Sequence, residues 1–131
     1  MSVPSTKFFI TSNNIRDLTV TESFLSSFGY QSDGINIQTM SNDYTVSGNI
    51  IYNVGEGVDL FSDYGLVSNN VIERTYIFGI KLIHGASNNI VSNNLIIAPG
   101  LGGSVVAGSN TATKNTNRNT ITGNSISQVN N

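Results

Sequence analysis

The chain has 131 residues, a net charge of −2 and a pI near 5.0, and 11% of its residues are charged, against roughly 25% in an ordinary soluble domain. Its six Lys and Arg are scattered singly and form no stripe that could follow a phosphate backbone, which excludes nucleic acid as a partner. The absence of Cys removes disulfides, zinc-thiolate sites and thiol nucleophiles, and no apolar run approaches the roughly 18 residues of a membrane span.

Residues 1–7 read as a loose lead-in without the basic-then-apolar order of a signal peptide, so export would need another route or a longer N-terminal region. Phe8 to Ile10 follow as a first strand, Asn13 and Asn14 as a turn, and Leu18 and Val20 share one face by alternation. From Val20 one short phrase recurs: aliphatic, two polar residues, Asn, any residue, aliphatic. It reads Val46, Asn49, Ile51, then Val67, Asn70, Ile72, then Val91, Asn94, Ile96. An upstream copy, Val20 to Leu25, carries Ser23 at the Asn position, and a downstream copy runs from Ile121 through Asn124 to Ile126. The leading residues are 26, 21, 24 and 30 positions apart.

A second kind of strand opens on Gly: Gly34 to Ile37, Gly57 to Leu60 and Gly79 to Leu82, each with apolar residues two apart. Pro99 and Gly100 mark a turn. In Gly102 to Ala107 either Val105 or Val106 fits the inward position, and residues 109–119 form a long polar loop.

A repeat of about 20 to 30 residues built from short strands and turns is a solenoid signature. Because the phrase always repeats in the same direction, equivalent strands stack parallel. The reading is an all-β, single-domain, right-handed parallel β-helix of about five coils, spanning residues 1–131 as a segment of a longer protein. The expected inward columns are Val20, Val46, Val67, Val91, Ile121; Leu25, Ile51, Ile72, Ile96, Ile126; Ile35, Val58, Ile80; and Ile37, Leu60, Leu82. Asn49, Asn70, Asn94 and Asn124 are expected to stack as an amide ladder at a bend whose left-handed conformation Asn tolerates.

This pattern resembles the pectin-lyase-like right-handed β-helix superfamily of polysaccharide lyases, hydrolases, uronate epimerases and phage tailspikes. Residues 13–110 look most like the catalytic modules of mannuronan C5-epimerases. Those enzymes carry Tyr-x-x-Asp-Pro-His-Glu, and Tyr30 and Asp33 match its first two functional positions. Gly34, Ile35 and Asn36 replace the Pro-His-Glu, so the family His used in proton transfer is missing. The resemblance implies an extracellular or virion-associated protein.

Abstracting the C5 proton of a uronate requires a base, a group that neutralises the carboxylate and, for epimerisation, a proton donor on the opposite face. Stacked coils offer candidates on their outer surface. Asn36, Asp59 and Lys81 form one column, and Asp33 and Glu56 precede their strands in another. Tyr30, Asp33, Asp59, Lys81 and His84 are the catalytic candidates; Asn36, Glu56, Phe61, Tyr64 and Tyr76 are the substrate-binding ones. Each has a plainer reading: Asp59 and Lys81 as an exposed ion pair worth under about 1 kcal/mol, Asp33 as a turn cap, His84 as a turn residue, the tyrosines as packing beneath loops. Asp33 and Glu56 also suit a hydrolase pair or, with carbonyl help, Ca²⁺, although the Gly-Gly-x-Gly-x-Asp nonapeptide of calcium β-rolls does not occur and no cofactor is indicated.

The resulting expectation is a β-helix that binds, and modifies by C5 epimerisation or β-elimination, an acidic polysaccharide such as alginate. The alternative is a non-catalytic structural or receptor-binding segment of a tailspike or adhesin. The solenoid ends would be covered by flanking coils or by a homo-oligomer. Ile72→Asp is expected to unfold the stack and Lys81→Ala to leave the fold intact.

Overall fold

The computed structural model describes residues 7–18, 32–100, 102–108 and 114–128. Within them the chain forms strands and turns and no helix. The first coil holds β1 (Phe8–Thr11), β2 (Asn14–Arg16) and β3 (Asp33–Ile37); the second β4 (Tyr44–Ser47), β5 (Ile50–Val54) and β6 (Glu56–Leu60). The third holds β7 (Leu66–Ser68), β8 (Val71–Thr75) and β9 (Phe78–Leu82), and the fourth β10 (Ile90–Ser92), β11 (Leu95–Ile97) and β12 (Gly103–Ala107). A fifth is begun by β13 (Thr120–Thr122) and β14 (Ser125–Ser127).

Each strand pairs with its counterpart one coil away, always parallel. Sheet A is ordered β1-β4-β7-β10-β13, sheet B β2-β5-β8-β11-β14 and sheet C β3-β6-β9-β12. Three parallel sheets wound by one chain make the right-handed parallel β-helix that the repeat predicted.

Inside run four columns of side chains. Val46, Val67 and Val91 stack in sheet A and Ile51, Ile72 and Ile96 in sheet B, all fully buried. Sheet C adds Ile35, Val58 and Ile80, and then Ile37, Leu60 and Leu82. Burying each such side chain stabilises the fold by about 1.5–3 kcal/mol. Sheet C also decides the register left open in the fourth coil: Val105 pairs with Ile80 and packs on the core, while Val106 lies beside Lys81.

The first coil departs from expectation. Ile10, not Val20, pairs with Val46, and Ile15, not Leu25, pairs with Ile51. Val20, Ser23 and Leu25 lie outside the described residues. The true first copy of the phrase is Ile10, Asn13, Ile15, set 36 positions before Val46 because the chain between β2 and β3 is long.

The bend between sheets A and B carries the amide ladder. Asn13, Asn49, Asn70 and Asn94 each donate from Nδ2, and from the backbone N–H, to Oδ1 of the next Asn at 2.9–3.0 Å. The amides of Asn49, Asn70, Asn94 and Asn124 also donate to the carbonyls of Ile10, Val46, Val67 and Val91. The left-handed residue at this bend is the one before the ladder, not the ladder Asn: Ser12, Gly48, Asn69, Asn93 and Gly123 have φ of 56–68°. The ladder positions need Asn for its side-chain hydrogen bonds, and the preceding positions need Gly, Asn or Ser for their backbone.

A shorter ladder, which the repeat phrase did not announce, links Asn89 to Asn119 at the bend entering sheet A. One coil earlier Gly65 takes the equivalent place, because a Cβ there would overlap the buried Tyr44 ring. The Tyr44 hydroxyl donates to Asn89 Oδ1 at 2.8 Å and so completes the column. Burial, aided by Asp63, holds the Tyr44 hydroxyl well above the usual phenol range.

Candidate functional site

Each strand of sheet C begins close over the core. A Cβ on Gly57 would stand 2.6 Å from Ile72 Cγ2 and would overlap the Gly79 carbonyl, and one on Gly34 would stand 2.6 Å from Ile51 Cγ2. Only Gly permits this approach, which seats Asp33 and Glu56, one residue earlier, opposite each other at the heads of β3 and β6. Further along, Asn36, Asp59 and Lys81 pair across three coils in the expected column. They alternate with the inward Val58, Leu60, Ile80 and Leu82, so their side chains leave from the outer face.

Four of these residues meet. Lys81 Nζ lies 2.5 Å from Glu56 Oε2 and 2.9 Å from Asp59 Oδ2, and sits 5.5 Å from the centre of the Phe78 ring. One oxygen from each of Asp33, Glu56 and Asp59 lies within 4.8 Å of the others. Asn36 Nδ2 donates to Asp33 Oδ2 at 2.6 Å, and Gln38 Nε2 donates in turn to Asn36 Oδ1.

The Asp59–Lys81 pair is therefore not an exposed surface bridge. Glu56 and Asp59 are fully buried and Lys81 is 3% exposed, so an energy drawn from surface pairs does not apply. Lys81→Ala would leave two buried carboxylates without their cation, and the expectation that it spares the fold is withdrawn. Asp33 is half-buried, and Asn36 and Gln38 are exposed, so solvent reaches the cluster's rim at the first coil.

Burial dominates the titration of the acids. It pushes the Glu56 carboxyl up against the opposing pull of Lys81, and it pushes Asp59 up to about 7 despite the same hydrogen bond. For Lys81 burial works downward, but hydrogen bonds and charge from Glu56 and Asp59 outweigh it, and the ammonium is held above its usual range. Asp59 is thus poised to exchange a proton near neutrality, while Lys81 stays charged.

The other candidates lie elsewhere. His84 follows β9 in a turn with φ of 53°, its ring stacked on Phe61 at 5.3 Å between centres and 9° between planes. The two line a surface depression of about 380 Å³ with Thr39, Asp63 and Asn115. This supports the turn reading of His84. Tyr64 flanks a different depression with Lys7 and Asn88, and Tyr76 a third with Asn53 and Arg74. Neither of those depressions includes a residue of the acid cluster. Tyr30 lies outside the described residues. Gln38 and Phe78 escaped the sequence reading. Gln38 could have been found as the outward neighbour two residues past Asn36, and Phe78 as the residue two before Ile80.

A family model described as right-handed beta helix region matches residues 2–126, nearly the whole chain. Neither the curated proteins nor the solved structures contain a significant match.

Proposed function

Since the chain belongs to the right-handed β-helix family, we propose that it is a carbohydrate-active β-helix whose site is the outer face of sheet C. The observation that carries this reading is the gathering of Asp33, Glu56, Asp59 and Lys81 from three consecutive coils around one point. Structural solenoids do not need such a group, because apolar residues would fill the same space at lower electrostatic cost.

The substrate class we favour is an acidic polysaccharide lying along the strands, modified at C5. Asp33 is the carboxylate that solvent reaches, and it is the base. It takes the C5 proton. In β-elimination the electrons form the C4–C5 double bond as the C4–O bond breaks and the leaving oxygen gains a proton; in epimerisation a proton returns to C5 from the other face. Asn36 and Gln38 orient the Asp33 carboxylate through their hydrogen-bonded chain. Behind it, Glu56, Asp59 and Lys81 set the local field. With all four groups ionised the cluster carries two net negative charges, so a uronate is accepted best when the raised-pKa acids hold protons, on the acid side of neutrality.

The test is incubation of the full chain with alginate and with pectate, reading unsaturated products by ultraviolet absorbance and C5 inversion by NMR. Turnover that is lost in Asp33→Asn supports the proposal. Binding without turnover reduces the protein to a carbohydrate-binding module. A second reading, a structural segment of a tailspike or adhesin, is favoured by the complete burial of Glu56 and Asp59. Absence of both binding and turnover, with a stable trimer in light scattering, selects it.

A further inference from the structure

Among the described residues Lys81 is the one buried lysine, and the proposed chemistry uses it only for its charge. Its Nζ lies 2.9 Å from Asp59 Oδ2 and 2.5 Å from Glu56 Oε2, and both acids are fully buried. Asp59 and Lys81 stand directly opposite each other on β6 and β9, so the sheet itself holds the two side chains in contact. The Phe78 ring flanks the ammonium at 5.5 Å. Glu56 Oε1 and Asp59 Oδ1 are buried and meet no hydrogen-bond donor among the described residues. Enclosed charge and orphaned oxygens make an unreacted pair costly here. An amine, a carboxyl and a second carboxyl held together out of water are also the reactants of a condensation.

We propose that Lys81 Nζ and Asp59 Cγ condense into an amide, an isopeptide bond that ties β6 to β9, with Glu56 moving the protons. Glu56 Oε2 takes one ammonium proton, and the freed lone pair forms the Nζ–Cγ bond as the carbonyl electrons move onto oxygen. Glu56 then gives that proton to the Asp59 hydroxyl, the C–O bond breaks and water leaves. The carbonyl re-forms, and the surplus proton on nitrogen ends on Glu56. Burial prepares the acyl partner, since it keeps the Asp59 carboxyl protonated up to about pH 7, the form that a nucleophile attacks. Fixed contact between reactants is worth an effective concentration of about 10⁵–10⁸ M, and a dry site withholds the water that would reverse the step. The product replaces an enclosed cation and its acid with a neutral amide and removes one oxygen from the crowded cluster. Before the bond closes the two groups titrate separately; afterwards neither does. The amide would span 22 positions of sequence (81 − 59) and fasten the second coil to the third, the direction in which a solenoid is held only by neighbouring coils.

The proposal needs no glycan, and its test is mass spectrometry of the full-length protein, incubated near neutral pH for several days, then unfolded and digested with trypsin. Expected are the loss of one water per chain and no cleavage after Lys81, so that residues 17–74 and 75–114 travel as one branched species whose fragments place the link at Asp59 and Lys81. Asp59→Ala should restore the full mass and cleavage after Lys81. Glu56→Gln keeps both reactants and should slow linking by about a hundredfold or more. An unchanged parent mass with complete cleavage after Lys81 would overturn the proposal and leave a plain ion pair. So would a water loss confined to residues 17–74, as ring closure at Asp33 and Gly34 would give, or a link that persists in Asp59→Ala. Linking at the parent's rate in Glu56→Gln would remove Glu56 from the mechanism. Should either variant fail to fold, the parent's peptide map decides alone, because the branched species is either present or absent.

Discussion

Two columns of stacked residues that include buried polar side chains run along this β-helix, and they differ in how completely those side chains are satisfied. At the bend between sheets A and B each inner Asn uses its amide N–H groups, its carbonyl and its backbone N–H, repeating one arrangement coil after coil. On sheet C the residues at equivalent positions change chemistry at every coil: Asn36, Asp59, Lys81, Val106. There charge is enclosed, and among the described residues several carboxylate oxygens remain without donors. A buried polar row that closes on itself supports a fold. One that stays open invites a ligand, because its unmet hydrogen bonds are free energy that binding can recover.

The comparison can be broken at several points. The largest effect is expected from Ile72→Asp, which puts a lone charge between the sheets in the central coil; loss of the strand circular dichroism signal and of a cooperative melt would follow, and a stable variant would refute the inward columns. Next comes Asn70→Ala. It strands the Asn49 amide and backbone N–H and the Val46 carbonyl, and chemical denaturation should show a loss of about 3 kcal/mol or more. Lys81→Ala follows, with a loss of about 3–5 kcal/mol in metal-free buffer above neutral pH, since it uncovers two buried carboxylates.

The pH dependence separates the two rows more finely. Asp59 and Glu56 have folded pKa values raised above those of the unfolded chain, so the folded state keeps protons that the unfolded state has released. Their contribution to stability is complete below the ordinary carboxylate range and is lost as pH rises through the raised values, about 7 for Asp59. Lys81, also raised, contributes up to its usual range and loses this only in strong alkali. In metal-free buffer the Tm should fall between about pH 5 and pH 8, and Asp59→Asn should flatten that fall; a ladder variant such as Asn124→Ala should leave its slope unchanged. The smallest effect is expected from His84→Ala. It removes one ring stack on Phe61 and should cost less than about 1 kcal/mol while leaving any polysaccharide turnover intact.

Much of the scaffold was legible because a solenoid writes its geometry as a repeat. Valine or isoleucine at fixed offsets from Asn implied inward columns, and pairing at Val46, Val67 and Val91 agrees. The first coil was misread because its phrase, Ile10 to Ile15, lies 36 positions from the next copy, outside the period set by the others, while Val20 to Leu25 mimicked the phrase at a better distance. The site was legible by column but not by environment. Spacing put Asp59 beside Lys81, whereas nothing local told an exposed pair from an enclosed one. Tyr64 and Tyr76 separate from the cluster for a related reason: they stand at other corners of the coil, and linear proximity to a strand does not say which corner follows it.

The sequence by itself determined the architecture, the ladder and the residues that share an outer column, because all three follow from a periodicity that local chemistry enforces. Only the tertiary structure decided that Glu56 reaches across to Lys81, that Glu56, Asp59 and Lys81 are buried while Asp33 stands at the rim that solvent reaches, and that Asp33 Oδ1, Glu56 Oε1 and Asp59 Oδ1 meet no hydrogen-bond donor among the described residues. Those properties depend on distances between coils and on solvent exclusion, which arise when the strands stack and are encoded by no single stretch of the chain.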